Sequence, residues 1–320
     1  MTRVVVTGAG GFIGSHLVVR LKELGHWVRG VDVKAPEFGI SAADEFELLD
    51  LRRWDACLEA LRGAEEVYAL AADMGGMGYI SSNHATILRN NALINLHTLD
   101  AARTQGVSRL LYTSSACIYP DYRQTEADVT PLSEDDAYPA SPQDAYGWEK
   151  LLTERACSYY REEFGFETRI VRFHNIFGPE GTFEGGREKA PAALCRKVAS
   201  VEDGGEIEIW GDGEQTRSFC YIDDCVEGIW RIMRSDYAEP LNLGTEELVS
   251  INELARQIIA VSGKRDIRLV HVDGPQGVRG RNSDNSRLRK VLGWEPATSL
   301  ADGLEPTYRW IEKQLASRAS

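Results

Sequence analysis

Tyr146 and Lys150 stand four residues apart, a spacing that puts two side chains on one face of a helix. An ammonium beside a phenol lowers the phenol's pKa from about 10 toward the range of a useful base, so the pair can remove a hydroxyl proton. Ser115 follows an apolar strand pattern at 110–113 and offers a second hydroxyl to the same oxygen. Two residues on, Cys117 adds chemistry of another kind. A thiol whose pKa falls below about 8.5 beside a cation is a base, and plain hydride transfer has no use for one. Its position points to the movement of carbon-bound protons as well.

These groups need a cofactor and a scaffold. Gly8-x-x-Gly11-x-x-Gly14 follows the apolar run 4–6 and opens a helical pattern in Ile13, Leu17, Leu21 and Leu24. In that context the triplet, with Phe12 and Ile13 inside it, is a dinucleotide fingerprint. The first glycine permits a tight turn, the second lets the backbone approach a pyrophosphate, and the third lets the helix pack closely. The helix N-terminus then faces the phosphates. Asp32, eighteen residues after Gly14, ends a second strand. Its carboxylate suits a ribose hydroxyl and repels a 2′-phosphate, which favours NAD over NADP. Asp50 and Leu51, after a third strand, are placed to contact the adenine.

Strand patterns at 4–6, 27–33, 46–49, 67–70, 110–113 and 168–172 alternate with helical ones such as 91–103 and 146–164. The alternation predicts an α/β fold with a Rossmann-type doubly wound parallel sheet. Residues 121–143 are acidic, contain three prolines and lack periodicity, and they read as a surface loop. After Asn175 glycine and proline become frequent and the elements shorten, the signature of a smaller mixed α/β lobe. The division is 1–174 for the NAD-binding domain, with 219–245 returning to it, and 175–218 plus 246–320 for a nucleotide-sugar-binding lobe. Residues 316–320 read as a frayed end.

The 320-residue chain carries 36 Lys+Arg against 49 Asp+Glu, a formal charge of −13 that argues against a nucleic-acid partner. An anionic ligand is compatible with that sign, because 184–189 and 279–281 gather local cations. The six cysteines, at 57, 117, 157, 195, 220 and 225, form no C-x-x-C pair, and a chain of this size needs no staples. No apolar stretch reaches membrane-spanning length, and the N-terminus lacks a signal-peptide pattern. A soluble, cytoplasmic protein with no membrane partner is expected. The histidines show no metal-ligand spacing, so no metal is assigned, and His174 reads as a structural residue beside Asn175.

Four segments resemble the extended short-chain dehydrogenase/reductase family, whose members modify nucleotide sugars. They are Thr7-Gly-Ala-Gly-Gly-Phe-Ile-Gly14, Ser114-Ser-Ala-Cys-Ile-Tyr119, Tyr146-Gly-Trp-Glu-Lys150 and Arg217-Ser-Phe-Cys-Tyr-Ile-Asp223. The resemblance covers nearly the whole chain. It implies a tightly bound NAD regenerated in each cycle, and a homodimer formed through helices of the main domain. Ala71-Ala-Asp-Met-Gly-Gly-Met-Gly78, Phe173-His-Asn-Ile-Phe-Gly-Pro179, Gly185-Gly-Arg-Glu-Lys-Ala-Pro191 and Gly277-Val-Arg-Gly-Arg-Asn-Ser-Asp284 narrow the resemblance to members acting on GDP-mannose and related GDP-sugars.

What this resemblance implies is an isomerase, an epimerase converting GDP-mannose to GDP-L-galactose. Tyr146, Lys150 and Ser115 would serve transient oxidation at carbon 4. The ketone acidifies the hydrogens at carbons 3 and 5, and Cys117 and Lys189 would be the acid/base pair that inverts both. Re-reduction closes the cycle. The implied substrate contacts are Gly75, Ser115, Ala116, Cys117, Asn175, Glu188, Lys189, Ala190, Lys197, Gln215, Thr216, Arg217 and Arg281. One alternative is a 4-epimerase or 4,6-dehydratase acting on another nucleotide sugar. The dehydratases carry acidic residues where this chain has Ala116 and Cys117. A second alternative is a non-catalytic NAD- and nucleotide-sugar-binding module.

Overall fold

The computed structural model describes residues 1–319. The first half alternates strand and helix: β1 (Arg3–Thr7), α1 (Phe12–Glu23), β2 (Trp27–Asp32), β3 (Glu45–Leu48), α2 (Trp54–Ala60), β4 (Glu66–Ala69), α3 (Met77–Ser82), α4 (His84–Thr104), β5 (Arg109–Ser115), α5 (Ala145–Phe164) and β6 (Glu167–Phe173). The second half is more broken: β7 (Asn175–Phe177), α6 (Ala190–Ser200), β8 (Glu206–Trp210), β9 (Thr216–Tyr221), α7 (Ile222–Arg234), β10 (Leu241–Leu243), β11 (Leu248–Ser250), α8 (Ile251–Ser262), β12 (Arg268–Val272), β13 (Gly280–Arg281), α9 (Ser286–Leu292) and α10 (Leu300–Ala319).

Seven parallel strands form the main sheet in the order β3-β2-β1-β4-β5-β6-β10. This is the Rossmann-type doubly wound sheet that the alternation predicts. The order reverses between β1 and β4, and the carboxyl ends of strands open a crevice at such a switch point. The pleat explains the three valines of β1. Val4 and Val6 enter one core with Leu17, Val18 and Leu21 of α1 and Ile229 and Met233 of α7. Val5 enters the opposite core with Leu99 and Ala102 of α4 and Cys157 of α5. Burying one such aliphatic side chain contributes roughly 1.5–3 kcal/mol. The sheet is thus covered on both faces, with α7 and β10 drawn from the second half of the chain.

A second layer set stands above the carboxyl edge. In it β9 pairs with β7, β11 and β13, and β8 pairs with β12. Leu194 and Val198 of α6, Leu254 and Ile258 of α8, and Leu304 and Tyr308 of α10 form its core. Phe38, from the loop after β2, reaches this core. Its ring is 6.1 Å from Phe183 and 4.7 Å from Trp310.

Two expectations need correction. Residues 121–143 are not a plain surface loop. Gln124, Leu132, Glu134 and Ala137 are buried there. The segment escapes periodicity because its buried apolar residues, Val129, Leu132 and Ala137, fall at irregular spacings and are interleaved with buried polar ones. Arg172 Nη1 donates to the Glu134 carbonyl at 2.8 Å, and the Glu134 carboxylate accepts from the Asn242 amide at 2.9 Å. The C-terminal end is also more regular than the composition implies, since α10 continues to Ala319, and Ser320 lies outside the described residues. Among the described residues, no helix is long and apolar enough to cross a membrane.

Candidate active site

The glycine turn sits between β1 and α1. Gly8 has φ +72, and a Cβ on Gly14 would lie 2.1 Å from the Gly8 carbonyl oxygen, so the first turn of α1 rests directly on the loop. Asp32, at the end of β2, is fixed by three amides. Its Oδ2 accepts from Gly10 at 3.0 Å, and its Oδ1 from Val33 at 2.6 Å and Lys34 at 3.2 Å. A groove lined by Gly10, Gly11, Phe12, Ser15, Lys34, Phe38 and Glu180 runs along this turn. The cradle without Cβ atoms, the free N-terminal amides of α1 and the held carboxylate fit a dinucleotide's pyrophosphate and ribose. Asp50 and Leu51 offer less than their position promises. The Asp50 carboxylate is gripped by Arg52, at 2.7 Å for Nη2. Leu51 is buried in the core, and its carbonyl accepts from the Cys57 thiol.

β5 ends at Ser115, and a short 3-10 turn, Ala116–Ile118, follows it. The Ser115 hydroxyl caps that turn by accepting from the Cys117 amide at 3.1 Å. Ala116 is buried behind it, while Cys117 is half-buried. Tyr146 and Lys150 lie in the first two turns of α5, whose N-cap Asp144 accepts from the Gly147 amide. Lys150 donates to the Thr113 carbonyl at 2.9 Å, and its ammonium is 5.5 Å from the centre of the Tyr146 ring. The expected lowering of the phenol is reversed in this state. Burial, reinforced by Cys117 and Glu149, raises the Tyr146 pKa well above its ordinary value, and the Ser115 hydroxyl only partly opposes it. Burial also lowers the Lys150 ammonium, against the pull of Glu149 and Glu154.

Lys189 is the N-cap residue of α6, which begins at Ala190, and Pro191 suits the first helical turn. The loop carrying Lys189 is fastened to the loop after β4. The Gly76 amide donates to the Arg187 carbonyl at 3.1 Å, and a Cβ on Gly76 would lie 2.6 Å from the Glu188 carbonyl oxygen. The neighbouring Gly75 packs against Tyr79 and Arg187. Glu188 holds this loop rather than facing outward, accepting from the Gly186 amide and pairing with Arg196 at 3.7 Å. Burial lowers the Lys189 ammonium, with Cys117 and then Cys225 opposing. Lys189 and Cys117 are therefore close enough for their charges to interact.

Arg217 and Arg281 are directly paired neighbours on β9 and β13. Arg217 donates to the carbonyls of Thr216, Gln276 and Val278. Arg281 donates to Gln124 Oε1 at 2.6 Å and lies 3.3 Å from Cys117 Sγ. Burial, then the charge of Arg281, pulls the Arg217 guanidinium down to about 9. Asn175, on β7, donates to the Ser218 carbonyl at 2.9 Å. Lys197 and Gln215 form a second group beside β8, bonded to the carbonyls of Glu208 at 2.7 Å and Trp210 at 3.1 Å. Gln215 Oε1 is buried without a partner. The Thr216 hydroxyl is committed to the Ala127 carbonyl.

Three contributors escaped the sequence reading. Gly147 has no room for a side chain, because its Cβ would lie 2.2 Å from the Cys117 carbonyl oxygen. Gly10 anchors Asp32. Gln124 holds Arg281. A glycine inside Tyr146-Gly147-x-x-Lys150, where a helix former is the default, was the available signal.

Residues 4–244 match the NAD dependent epimerase/dehydratase family. The chain is 53% identical over 315 residues to GDP-mannose 3,5-epimerase 1 of Oryza sativa subsp. japonica, covering 98% of this chain and 82% of that protein. It is 51% identical to GDP-mannose 3,5-epimerase of Arabidopsis thaliana, covering 98% and 83%. Among solved structures it is similar to UDP-glucose 4-epimerase of Thermotoga maritima with UDP-glucose, with TM-score 0.88, 27% identity and coverage of 98% of this chain and 100% of that one.

Proposed function

The chain belongs to the NAD-dependent epimerase/dehydratase family, and from that premise we propose that it converts GDP-mannose to GDP-L-galactose by inverting carbons 3 and 5 of the sugar. The observation that carries this reading is the setting of Cys117, beside Tyr146 and Ser115 on one side and within range of Lys189, Arg217 and Arg281 on the other. Hydride chemistry alone needs no thiol there.

The glycine turn and the α1 amides would hold the pyrophosphate of NAD, and Asp32 its ribose. When bound, NAD supplies removal of hydride from carbon 4 and its return. As phenolate, Tyr146 Oη takes the proton of the carbon-4 hydroxyl. As phenol, the form burial favours, it donates with Ser115 to the oxygen on which an enolate's charge gathers. Cys117 Sγ takes the acidified proton from a ring carbon next to the ketone. Lys189 Nζ delivers one to the other face, and its lowered pKa makes the ammonium a readier donor near neutral pH. Arg217 and Arg281, which meet no carboxylate among the described residues, would take the diphosphate. In this reading residues 1–174 and 219–245 hold the cofactor, and 175–218 and 246–320 the sugar nucleotide.

Incubation with GDP-mannose in deuterated water tests the chemistry. Magnetic resonance is expected to find deuterium at carbons 3 and 5 of a GDP-L-galactose product. Inversion at carbon 4 without ring exchange would make the protein a 4-epimerase. Exchange at neither carbon refutes the reading.

The protein is further proposed to be a cytoplasmic homodimer. Leu88 and Leu96 on α4 and Trp148, Leu152 and Tyr159 on α5 are exposed on neighbouring helices, which supports pairing there. Six unbridged cysteines fit a reducing compartment.

A further inference from the structure

Gln124 lies in the segment read from sequence as a surface loop, yet it is 1% exposed. All of its hydrogen-bonding capacity faces inward. Its Nε2 donates to the carbonyls of Tyr119 and Pro120, each at 3.1 Å. Its Oε1 accepts from Arg281 Nε at 2.6 Å. Its own carbonyl accepts from the amides of Arg279 at 2.9 Å and Gly280 at 3.3 Å. One residue thus grips β13 by the backbone and by the guanidinium. On the far side of that guanidinium, Nη1 is 3.3 Å from Cys117 Sγ. The chain leaves Cys117, turns at Tyr119, and returns to the sulfur through Gln124 and Arg281.

The support beneath Gln124 is rigid. Tyr119 Oη donates to Asn242 at 2.6 Å and accepts from Arg172 at 3.2 Å. Arg172 is itself in a buried pair with Glu154 at 2.8 Å. An arginine held only at its tip swings on a long, rotamer-rich stem, whereas a bond at Nε fixes the plane of the fork.

We propose that Gln124 is a positioning residue for carbon-proton transfer: by holding Arg281 Nε it sets the guanidinium that directs the sulfur of Cys117. This rests on the assignment of Cys117 as the base in the proposed epimerisation. Gln124 touches neither Tyr146 nor Lys150, so removing its carbonyl separates two steps that a general structural defect damages together.

The test uses the NAD-loaded Gln124→Leu protein with GDP-mannose in deuterated water. Deuterium exchange at carbons 3 and 5 is expected to fall about 100-fold, as for a displaced catalytic group. Transient nicotinamide reduction, which reports carbon 4, is expected to keep its amplitude. Gln124→Glu retains an acceptor for Arg281 Nε but sets its second oxygen against the Tyr119 and Pro120 carbonyls, and is expected to recover part of the exchange. Should Gln124→Leu fail to fold, Gln124→Asn keeps the amide but withdraws its oxygen from Arg281 Nε and is expected to show the same selective loss. Without substrate, alkylation of Cys117 by iodoacetamide is expected to slow severalfold in the variant. Equal loss of both catalytic signals, or unchanged exchange and alkylation, overturns the proposal. If the unaltered protein exchanges neither hydrogen, the functional reading fails instead, and the alkylation comparison still decides whether Gln124 governs the sulfur.

Discussion

Five of the six cysteines are sealed in the core, where burial pushes their thiols up and leaves them inert. Cys117 keeps an open side and a guanidinium at 3.3 Å. Cys117→Ala is therefore expected to lower ring-proton exchange by roughly a hundredfold to ten-thousandfold, the usual worth of a general base, while oxidation at carbon 4 survives. Deuterium content and nicotinamide absorbance, measured on one sample, check both halves. His174 makes a prediction about stability. Both its ring nitrogens are buried without a partner, and burial, aided by the charge of Arg281, drives its pKa down to about 3. The folded ring stays neutral, while the unfolded chain binds a proton below about 6.5. Stability is thus full above that pH and is lost progressively as the pH falls toward the folded value. Melting temperatures taken across this window are expected to decline on acidification, and less steeply in His174→Phe. Cys117 drew attention by its residue type and position, and Lys189 only through the resemblance of its segment to the family. Gln124 was not legible, because its partner Arg281 lies 157 residues away and nothing in the sequence reports that meeting.

The start of α5 and the turn after β5 are built against each other. Gly147→Ala inserts a methyl where only 2.2 Å separates the position from the Cys117 carbonyl. Overpacking of this kind costs about 1–3 kcal/mol, read as a fall in unfolding midpoint. Because the displaced groups carry Tyr146 on one side and Cys117 on the other, activity is expected to fall further than the folded fraction at assay temperature. Strands such as Arg109–Ser115 were readable to within two residues, since a strand buried on both faces is a continuous apolar run. Residues 121–143 were misread for the opposite reason. Much of their order comes from Arg172, Asn242 and Glu134, polar groups that satisfy one another inside the fold, while the buried Val129, Leu132 and Ala137 are too irregularly spaced to make a hydrophobic period.

At the scale of the whole molecule, a chain of charge −13 gathers Lys150, Lys189, Arg217 and Arg281 around one sulfur. The acidic exterior and the cationic centre together suit a diphosphate ligand and discourage longer polyanions. The doubly wound parallel sheet was legible from alternation alone, and its strand order came with the structure. The seventh strand, Leu241–Leu243, lies in the 219–245 segment expected to return to the main sheet, and it pairs there with β6. The outer faces of α4 and α5 carry the prediction that belongs here. Leu152 is 51% exposed beside Trp148 and Tyr159. Leu152→Glu places a charge in that apolar strip, and sedimentation velocity is expected to show the proposed dimer of the unaltered protein giving way to monomer at micromolar concentration.

Phe38 leaves the edge of the groove at Gly10 and Lys34 and packs against Phe183 and Trp310 in the other layer set. A coenzyme seated in that groove would lie against a ring anchored in the other layer set, and a cycle that consumes no net reductant never requires its release. The purified protein should therefore arrive with its nicotinamide aboard and turn over in buffer containing none. Phe38→Ala should lose that independence and recover full rate only when NAD is added.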